Sequence, residues 1–254
     1  MKLPLTSLTV LSLYSSIANA YTYGLGKSWL IGQGSNSSIQ KVTTTFNPGI
    51  PPPGQISSLK LYPGLSNGTG DLFLTSIESW PDQSWCRGTI AQWCIRTQVF
   101  SHQEAIFGQF APLNANQSLS IVFERNPNSL NWTQSVTVND QVVSEASSIS
   151  RITSIDLTGP SMSFCSCPMT LFGMTTECDG GCAMTVSPQI YSNTTIELSA
   201  PDLNWNSTEV VGSQIYGGEG VYNIIGQQPT VVTGLSSQDG QVWTVEEIVI
   251  PALN

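Results

Sequence analysis

Basic residues are scarce in this chain, and histidine is nearly missing. Eight Lys and Arg stand against 17 Asp and Glu, giving a formal net charge of −9, and His102 is the only histidine. With no basic patch to neutralise phosphates, nucleic acid is excluded as a partner class. An anionic membrane surface is disfavoured for the same reason. A Ser-His-Asp triad would need His102 as its base, and no nucleophile-elbow motif accompanies it; Ser101 and His102 read as a loop after a strand. The chain also lacks a glycine-rich phosphate loop after a strand and a histidine–carboxylate metal set. The expected cofactor is therefore none and the expected metal none. Calcium held by loop carboxylates stays open, because such sites leave little trace in sequence. Past the N-terminal segment no stretch has the roughly eighteen uninterrupted apolar residues of a membrane span. No window shows a long, capped 3.6-residue apolar period, so helices should be few.

The N-terminus supplies the first positive signal. Lys2 is the only charge in the first 26 residues, a largely apolar run from Leu3 to Leu13 follows, and Ala18 and Ala20 flank Asn19 in a small-x-small pattern. The apolar core is too short to cross a bilayer of roughly 30 Å as a helix. Residues 1–20 therefore read as a signal peptide, and 21–254 as a single all-β domain, secreted or held in the lumen of the secretory pathway.

Two further features fit export. Asn-x-Ser/Thr sequons stand at Asn36, Asn67, Asn116, Asn131, Asn193 and Asn206, which are expected N-glycosylation sites. The cysteines number six, and in an oxidising compartment an even count reads as three disulfides. Cys86 and Cys94 would close a short loop. Cys165, Cys167, Cys178 and Cys182 allow three pairings, among which sequence does not choose. Their spacing does not match the usual Cys-x-x-Cys zinc pairs.

Runs of β-branched and aromatic residues recur between Gly, Pro, Asn and Ser. The expected strands are Ile56–Tyr62, Asp71–Trp80, Trp93–Phe100, Leu119–Arg125, Trp132–Val138, Thr194–Leu198, Glu209–Ile215, Thr230–Thr233 and Val242–Ile250. A two-sheet, jelly-roll-like sandwich is the natural packing, with a lipocalin-like closed barrel second.

Alternation within these strands marks out a polar face. Trp93, Ile95, Thr97 and Val99 share one side, while Cys94, Arg96, Gln98 and Phe100 share the other. Glu78 and Trp80 lie on one face of the preceding strand. If the two strands are neighbours, Arg96, Gln98, Glu78 and Trp80 line one site, with Trp85, Arg87 and Gln92 in the loop between them. Arg96 and Gln98 are the candidate catalytic donors. Glu78, Trp80, Trp85, Arg87, Trp93 and Phe100 are candidate substrate contacts.

The segments Lys41-Val-Thr-Thr-Thr-Phe-Asn-Pro, Trp93-Cys-Ile-Arg-Thr-Gln-Val-Phe and Leu119-Ser-Ile-Val-Phe-Glu resemble the strand order of fungal glutamic peptidases, which are jelly-roll sandwiches pairing a glutamine with a glutamate. Gln98 stands near the glutamine position; no segment matches the glutamate strand. In whole-chain character the sequence also resembles the small secreted hetero-Diels–Alderases of fungal tropolone–sesquiterpenoid pathways. That resemblance implies cycloaddition of a tropolone quinone methide to a humulene-type alkene. Such chemistry needs an apolar pocket holding two partners in near-attack geometry, with donors to polarise a carbonyl. The leading expectation is thus a cofactor-free cyclase with a small hydrophobic substrate. A secreted hydrolase or lyase acting on polysaccharide or peptide is the rival enzyme class, and a lectin-like binder the non-catalytic one. A deep apolar pocket would favour the cyclase, an open groove with carboxylates the hydrolase, and a shallow site the binder.

Overall fold

The computed structural model describes residues 23–32, 35–68, 71–101, 104–129, 131–148, 168–179, 185–212, 222–224 and 230–252. The expected leader, His102, Cys165, Cys167 and Cys182 lie outside the described residues. Strands account for nearly all regular structure. In chain order they are Tyr23–Leu25 (β1), Ser28–Ile31 (β2), Ile39–Asn47 (β3), Leu59–Ser66 (β4), Leu72–Ser79 (β5), Gln92–Ser101 (β6), Glu104–Asn114 (β7), Leu119–Arg125 (β8) and Trp132–Val138 (β9). There follow Gln141–Ser147 (β10), Leu171–Asp179 (β11), Gln189–Leu198 (β12), Val210–Gly212 (β13), Tyr222–Ile224 (β14), Val231–Thr233 (β15), Ser236–Ser237 (β16) and Val242–Ile250 (β17). Two short 3₁₀ turns, Ser84–Cys86 and Trp205–Thr208, interrupt them. Among the described residues no helix is long and apolar enough to cross a membrane.

The strands form two sheets. The front sheet runs β13-β2-β11-β4-β5-β6-β7, with β1 on β11 and β14 beside β1. The back sheet runs β10-β9-β8-β3-β12-β17-β15, with β16 also on β17. Pairing is antiparallel except between β1 and β14. The all-β sandwich is thus the observed architecture, and the closed barrel is not.

Alternation drives the layering. In β3 the inward Ile39, Val42, Thr44 and Phe46 are buried while Thr43 and Thr45 are half-exposed. From the front sheet Trp29, Leu61, Phe73, Ile95 and Phe172 meet Phe46, Phe123, Tyr191 and Val245 of the back sheet in one core. Phe46 stacks on Tyr191 at 4.1 Å, and Phe123 meets Phe172 edge-on at 6.4 Å. Fully burying a side chain of this size contributes roughly 1.5–3 kcal/mol. One polar pair, Thr44 and Thr194, is carried into the core as a mutual hydrogen bond of 2.7 Å.

Several strands depart from the expectation. β2, β3, β7, β10 and β11 are absent from the expected set, as are the short β1, β14 and β16, and β4 begins at Leu59 rather than at Ile56. In β7 the cause is a bulge: the register against β6 shifts between Arg96 and Gln98, which breaks the period of two that sequence reading relies on. Residues 213–215 of the expected strand after Glu209 lie outside the described residues.

Candidate functional site on the outer face of the front sheet

Strand registry assembles the site. Across β5 and β6, Glu78 lies opposite Cys94, Ser76 opposite Arg96 and Leu74 opposite Gln98. Across β6 and β7, Arg96 faces Phe110 and Gln98 faces Phe107. These residues alternate with the core-facing Ile77, Ile95 and Val99 and therefore point away from the core. Because of the β7 bulge, Phe107 and Phe110, three residues apart, sit on the same side. Gly108 in the bulge tolerates no side chain: a Cβ there would lie 2.1 Å from Thr97 Oγ1 and 2.2 Å from the Glu145 carbonyl oxygen.

Glu78 is the anchor. Its side chain is fully buried. Oε1 accepts from Ser76 Oγ at 2.7 Å, from Arg96 Nε at 2.9 Å and Nη2 at 2.6 Å, and distantly from Gln98 Nε2 at 3.4 Å. Oε2 accepts from Trp80 Nε1 at 2.7 Å. A buried carboxylate is tolerated only when paired and hydrogen-bonded in this way. So surrounded, Glu78 has little capacity left to hold a water molecule, and its physical role is to fix the donors around it.

Arg96 is about a fifth exposed. Its guanidinium carbon lies 5.4 Å from the Trp85 ring centroid and 5.2 Å from that of Phe107. Among the described residues Nη1 makes no hydrogen bond. Phe110 meets Trp85 edge-on at 5.2 Å, and Phe100 meets Phe107 at 6.4 Å. Phe107 and Phe110 are each nearly half exposed. The outcome is an aromatic wall holding one oriented cationic fork.

Trp85 reaches this wall because the 3₁₀ turn is pinned to the sheet. Cys86 is disulfide-bonded to Cys94 of β6. Gln83 donates to the backbone oxygens of Glu78 and Gln92. Asp82 accepts from the Ser84 N–H and Oγ, and those bonds hold its carboxyl below the usual carboxylate range. Cys178 is also disulfide-bonded.

A second polar cluster shares this face. Glu177 of β11 lies opposite Lys60 of β4, which lies opposite Glu78. Lys60 Nζ donates to Glu177 Oε1 at 2.9 Å and the Tyr62 hydroxyl to Oε2 at 2.7 Å. Glu177 and Glu78 are thus two strand spacings apart, roughly 10 Å between backbones. Lys60 stands between them, and four residues further along the same strands Gly173 pairs with Gly64, where Leu74 and Leu30 lean over the space a side chain would fill.

Of the candidate residues, Glu78, Trp80, Trp85, Arg96 and Gln98 come together, with Phe100 at the rim. Two do not. Trp93 is fully buried on the core side and donates its Nε1 hydrogen to the Gly49 carbonyl, as its alternation with Cys94 demands. Arg87 is exposed, in a left-handed backbone conformation ending the 3₁₀ turn, and stands apart from the cluster. Sequence reading missed Phe107, Phe110, Tyr62, Lys60 and Glu177. Alternation in β4 carried a signal for Lys60 and Tyr62, but nothing in the sequence pairs β4 with β11. Among the described residues no group of three or more His, Cys, Asp or Glu converges as a metal site.

No protein-family model matches the chain, and no curated protein matches it. Among solved structures, scytalido-glutamic peptidase with a transition-state-analogue inhibitor aligns at a TM-score of 0.47 and 12% identity, over 89% of this chain and 99% of that one. SCP-B, a member of the eqolisin family of peptidases, in complex with the tripeptide Ala-Ile-His, aligns at 0.45 and 12%, over the same shares. Likeness at that level says nothing about what this chain does.

Proposed function

We propose that the outer face of the front sheet is an active site that binds a small, hydrophobic, oxygen-bearing substrate and polarises it through Arg96. The observation that carries this reading is the guanidinium itself, neutralised and aimed by the buried Glu78 and lying between the Trp85 and Phe107 rings. Such a group donates hydrogen bonds without giving up a proton. A fixed donor in a partly desolvated site stabilises charge as it develops on an oxygen.

In finer terms the reaction is a hetero-Diels–Alder cyclisation, as the sequence resemblance implies. A conjugated carbonyl and an alkene combine, forming one C–O and one C–C bond with no leaving group. A hydrogen bond from Arg96 Nη1 to the carbonyl oxygen draws electron density from the heterodiene and makes it a better acceptor for the alkene. The aromatic wall holds the two partners together, which is where most of the acceleration arises.

A hydrolase of polysaccharide or peptide is the second reading. It is favoured by Glu78 and Glu177 on one row of one face, since glycosidases place two carboxylates across a cleft. Against it, each carboxylate is already bonded to a cation and a phenol or indole, leaving neither an evident acid nor an evident base.

The test is a three-armed incubation of the purified protein: a quinone methide precursor with a humulene-type alkene, a β-glycan panel, and a peptide panel at acidic pH. Accelerated, stereoselective cycloadduct formation that falls a hundredfold or more in Arg96→Lys is the expected result. Glycan or peptide cleavage abolished by Glu177→Gln, with the cycloaddition at its background rate, would replace the first reading by the second.

A further inference from the structure

The two faces of the sandwich differ in what they display. The outer face of the front sheet carries the candidate site. The outer face of the back sheet is polar, with Thr43, Thr45, Ser192, Thr195 and Thr244 half-exposed or exposed on its central strands and the Lys41–Glu124 ion pair, Glu197 and Glu247 among them. At its centre the backbone does something unusual. β12 lies between β3 and β17, and its register against β3 slips by one residue between Ser192 and Thr195. Asn193 is at the slip, exposed, with φ 52°. A bulge re-aims a side chain, and asparagine enters the left-handed region more readily than most residues. The result is an asparagine turned to solvent in mid-sheet, where a regular strand would have kept its side chain level with its neighbours.

Asn193 also begins the sequon Asn193-Thr194-Thr195. Thr194 points inward and bonds Thr44, whereas Thr195, the residue whose hydroxyl the sequon requires, lies on the outer face. Asn67 makes the opposite case. It is half-buried in the β4–β5 turn, donates Nδ2 to Asp71 Oδ2 at 2.8 Å and accepts the Asp71 N–H at 3.1 Å, and Asp71 is itself buried. A sugar on that nitrogen would disturb its hydrogen bond to the buried Asp71 carboxylate. Asn67 also lies on the candidate site's own sheet.

We infer that Asn193 carries an N-linked oligosaccharide that covers the outer face of the back sheet, that Asn67 carries none, and that the front sheet's face is thereby left bare for substrate. The exposed Asn36, Asn116 and Asn206 are permissive sites at the ends of the sandwich. An oligosaccharide at Asn193 stands over the threonine and serine rows at the centre of that face and keeps two copies from stacking on it. The inference requires passage through the secretory pathway and is independent of which reaction the front face performs.

The test is secretion of the full chain from a yeast host, followed by enzymatic deglycosylation in heavy-oxygen water and peptide mass spectrometry, which marks each sugar-bearing asparagine. Asn193 should be marked in most molecules and Asn67 in almost none. Thr195→Val keeps the left-handed asparagine and removes only the acceptor hydroxyl. It should lose one oligosaccharide and self-associate at concentrations where the parent is monomeric by light scattering, as should Asn193→Gln if it folds. An unmarked Asn193 in secreted protein, a marked Asn67, or a Thr195→Val variant unchanged in mass overturns the inference.

Discussion

Removing Arg96 should destabilise the protein far more than removing an ordinary surface arginine, because of what it would leave behind. Glu78 has no exposed side-chain surface, whereas Arg96 is about a fifth exposed. Breaking a buried pair by deleting one partner typically costs about 3–5 kcal/mol, since the other charge stays buried. Some water reaches Arg96, and Ser76 and Trp80 still donate to Glu78, so the lower part of that range, about 3 kcal/mol, is expected for Arg96→Met. In a chain of this size that is a fall in Tm of roughly 6–12 °C. Glu78→Gln leaves the cation behind instead, and the cation can turn to solvent; about 1–2 kcal/mol is expected. In the double variant Glu78→Gln with Arg96→Met neither charge remains, and the new side-chain amide oxygen can still accept from Trp80. The double variant should therefore be more stable than the sum of the single losses predicts, by about 1–3 kcal/mol. Urea unfolding followed by tryptophan fluorescence, with circular dichroism as the two-state check, measures all four proteins. If Arg96→Met stays within about 1 kcal/mol of the parent, or the cycle shows no coupling, Glu78 is not a buried anion held by Arg96. The proposed role of Arg96 as an aimed donor would then fall with it.

Other perturbations follow from particular contacts. Reducing Cys86–Cys94, or replacing both by alanine, should cost about 2–3 kcal/mol from loop entropy, and it should raise substrate KM by freeing the turn that presents Trp85. Gly108→Ala should be strongly destabilising, because the new methyl meets Thr97 and the backbone of Glu145, and calorimetry should show a lowered Tm. Among the described residues the fully buried Tyr191 hydroxyl has no hydrogen-bond partner, so Tyr191→Phe should be neutral or stabilising by about 1 kcal/mol. Burial also pushes the Tyr191 phenol well above its ordinary 10.0, so its contribution is intact below the unfolded value and is lost as pH rises above it. Spectrophotometric titration should find the Tyr191 phenol silent until the protein unfolds in base, a component missing from Tyr191→Phe.

How much of this was legible depended on whether the information was local. Where a strand alternates without interruption, as in Trp93–Phe100, sequence alone separates the core side from the site side. The same alternation that put Arg96 on the outer face put Trp93 in the core, so counting Trp93 among the substrate contacts contradicted the rule that found the site. β7 failed for a reason within its own sequence: the bulge at Gly108 suspends the period of two, and it is the bulge that brings Phe107 and Phe110 to Arg96. Glu177 failed for a reason no single sequence contains. β11 reaches the site by pairing with β4, more than a hundred residues earlier, and the energy that selects that pairing is spread over Leu59, Leu61, Leu65, Phe172 and Met174, none of which is distinctive by itself. A short loop with a disulfide, such as that between β5 and β6, fixes its partner locally. The local half of the site, Glu78 with Arg96, was therefore visible, and the Lys60–Tyr62–Glu177 half was not. That difference has a folding consequence: the β5–β6 hairpin forms its ion pair across a short loop, whereas β4–β11 must first close a loop of about a hundred residues at a larger entropic cost. Glu177→Gln should thus mainly speed unfolding, and Arg96→Met should also slow folding, a split that a chevron plot of the two variants reads directly.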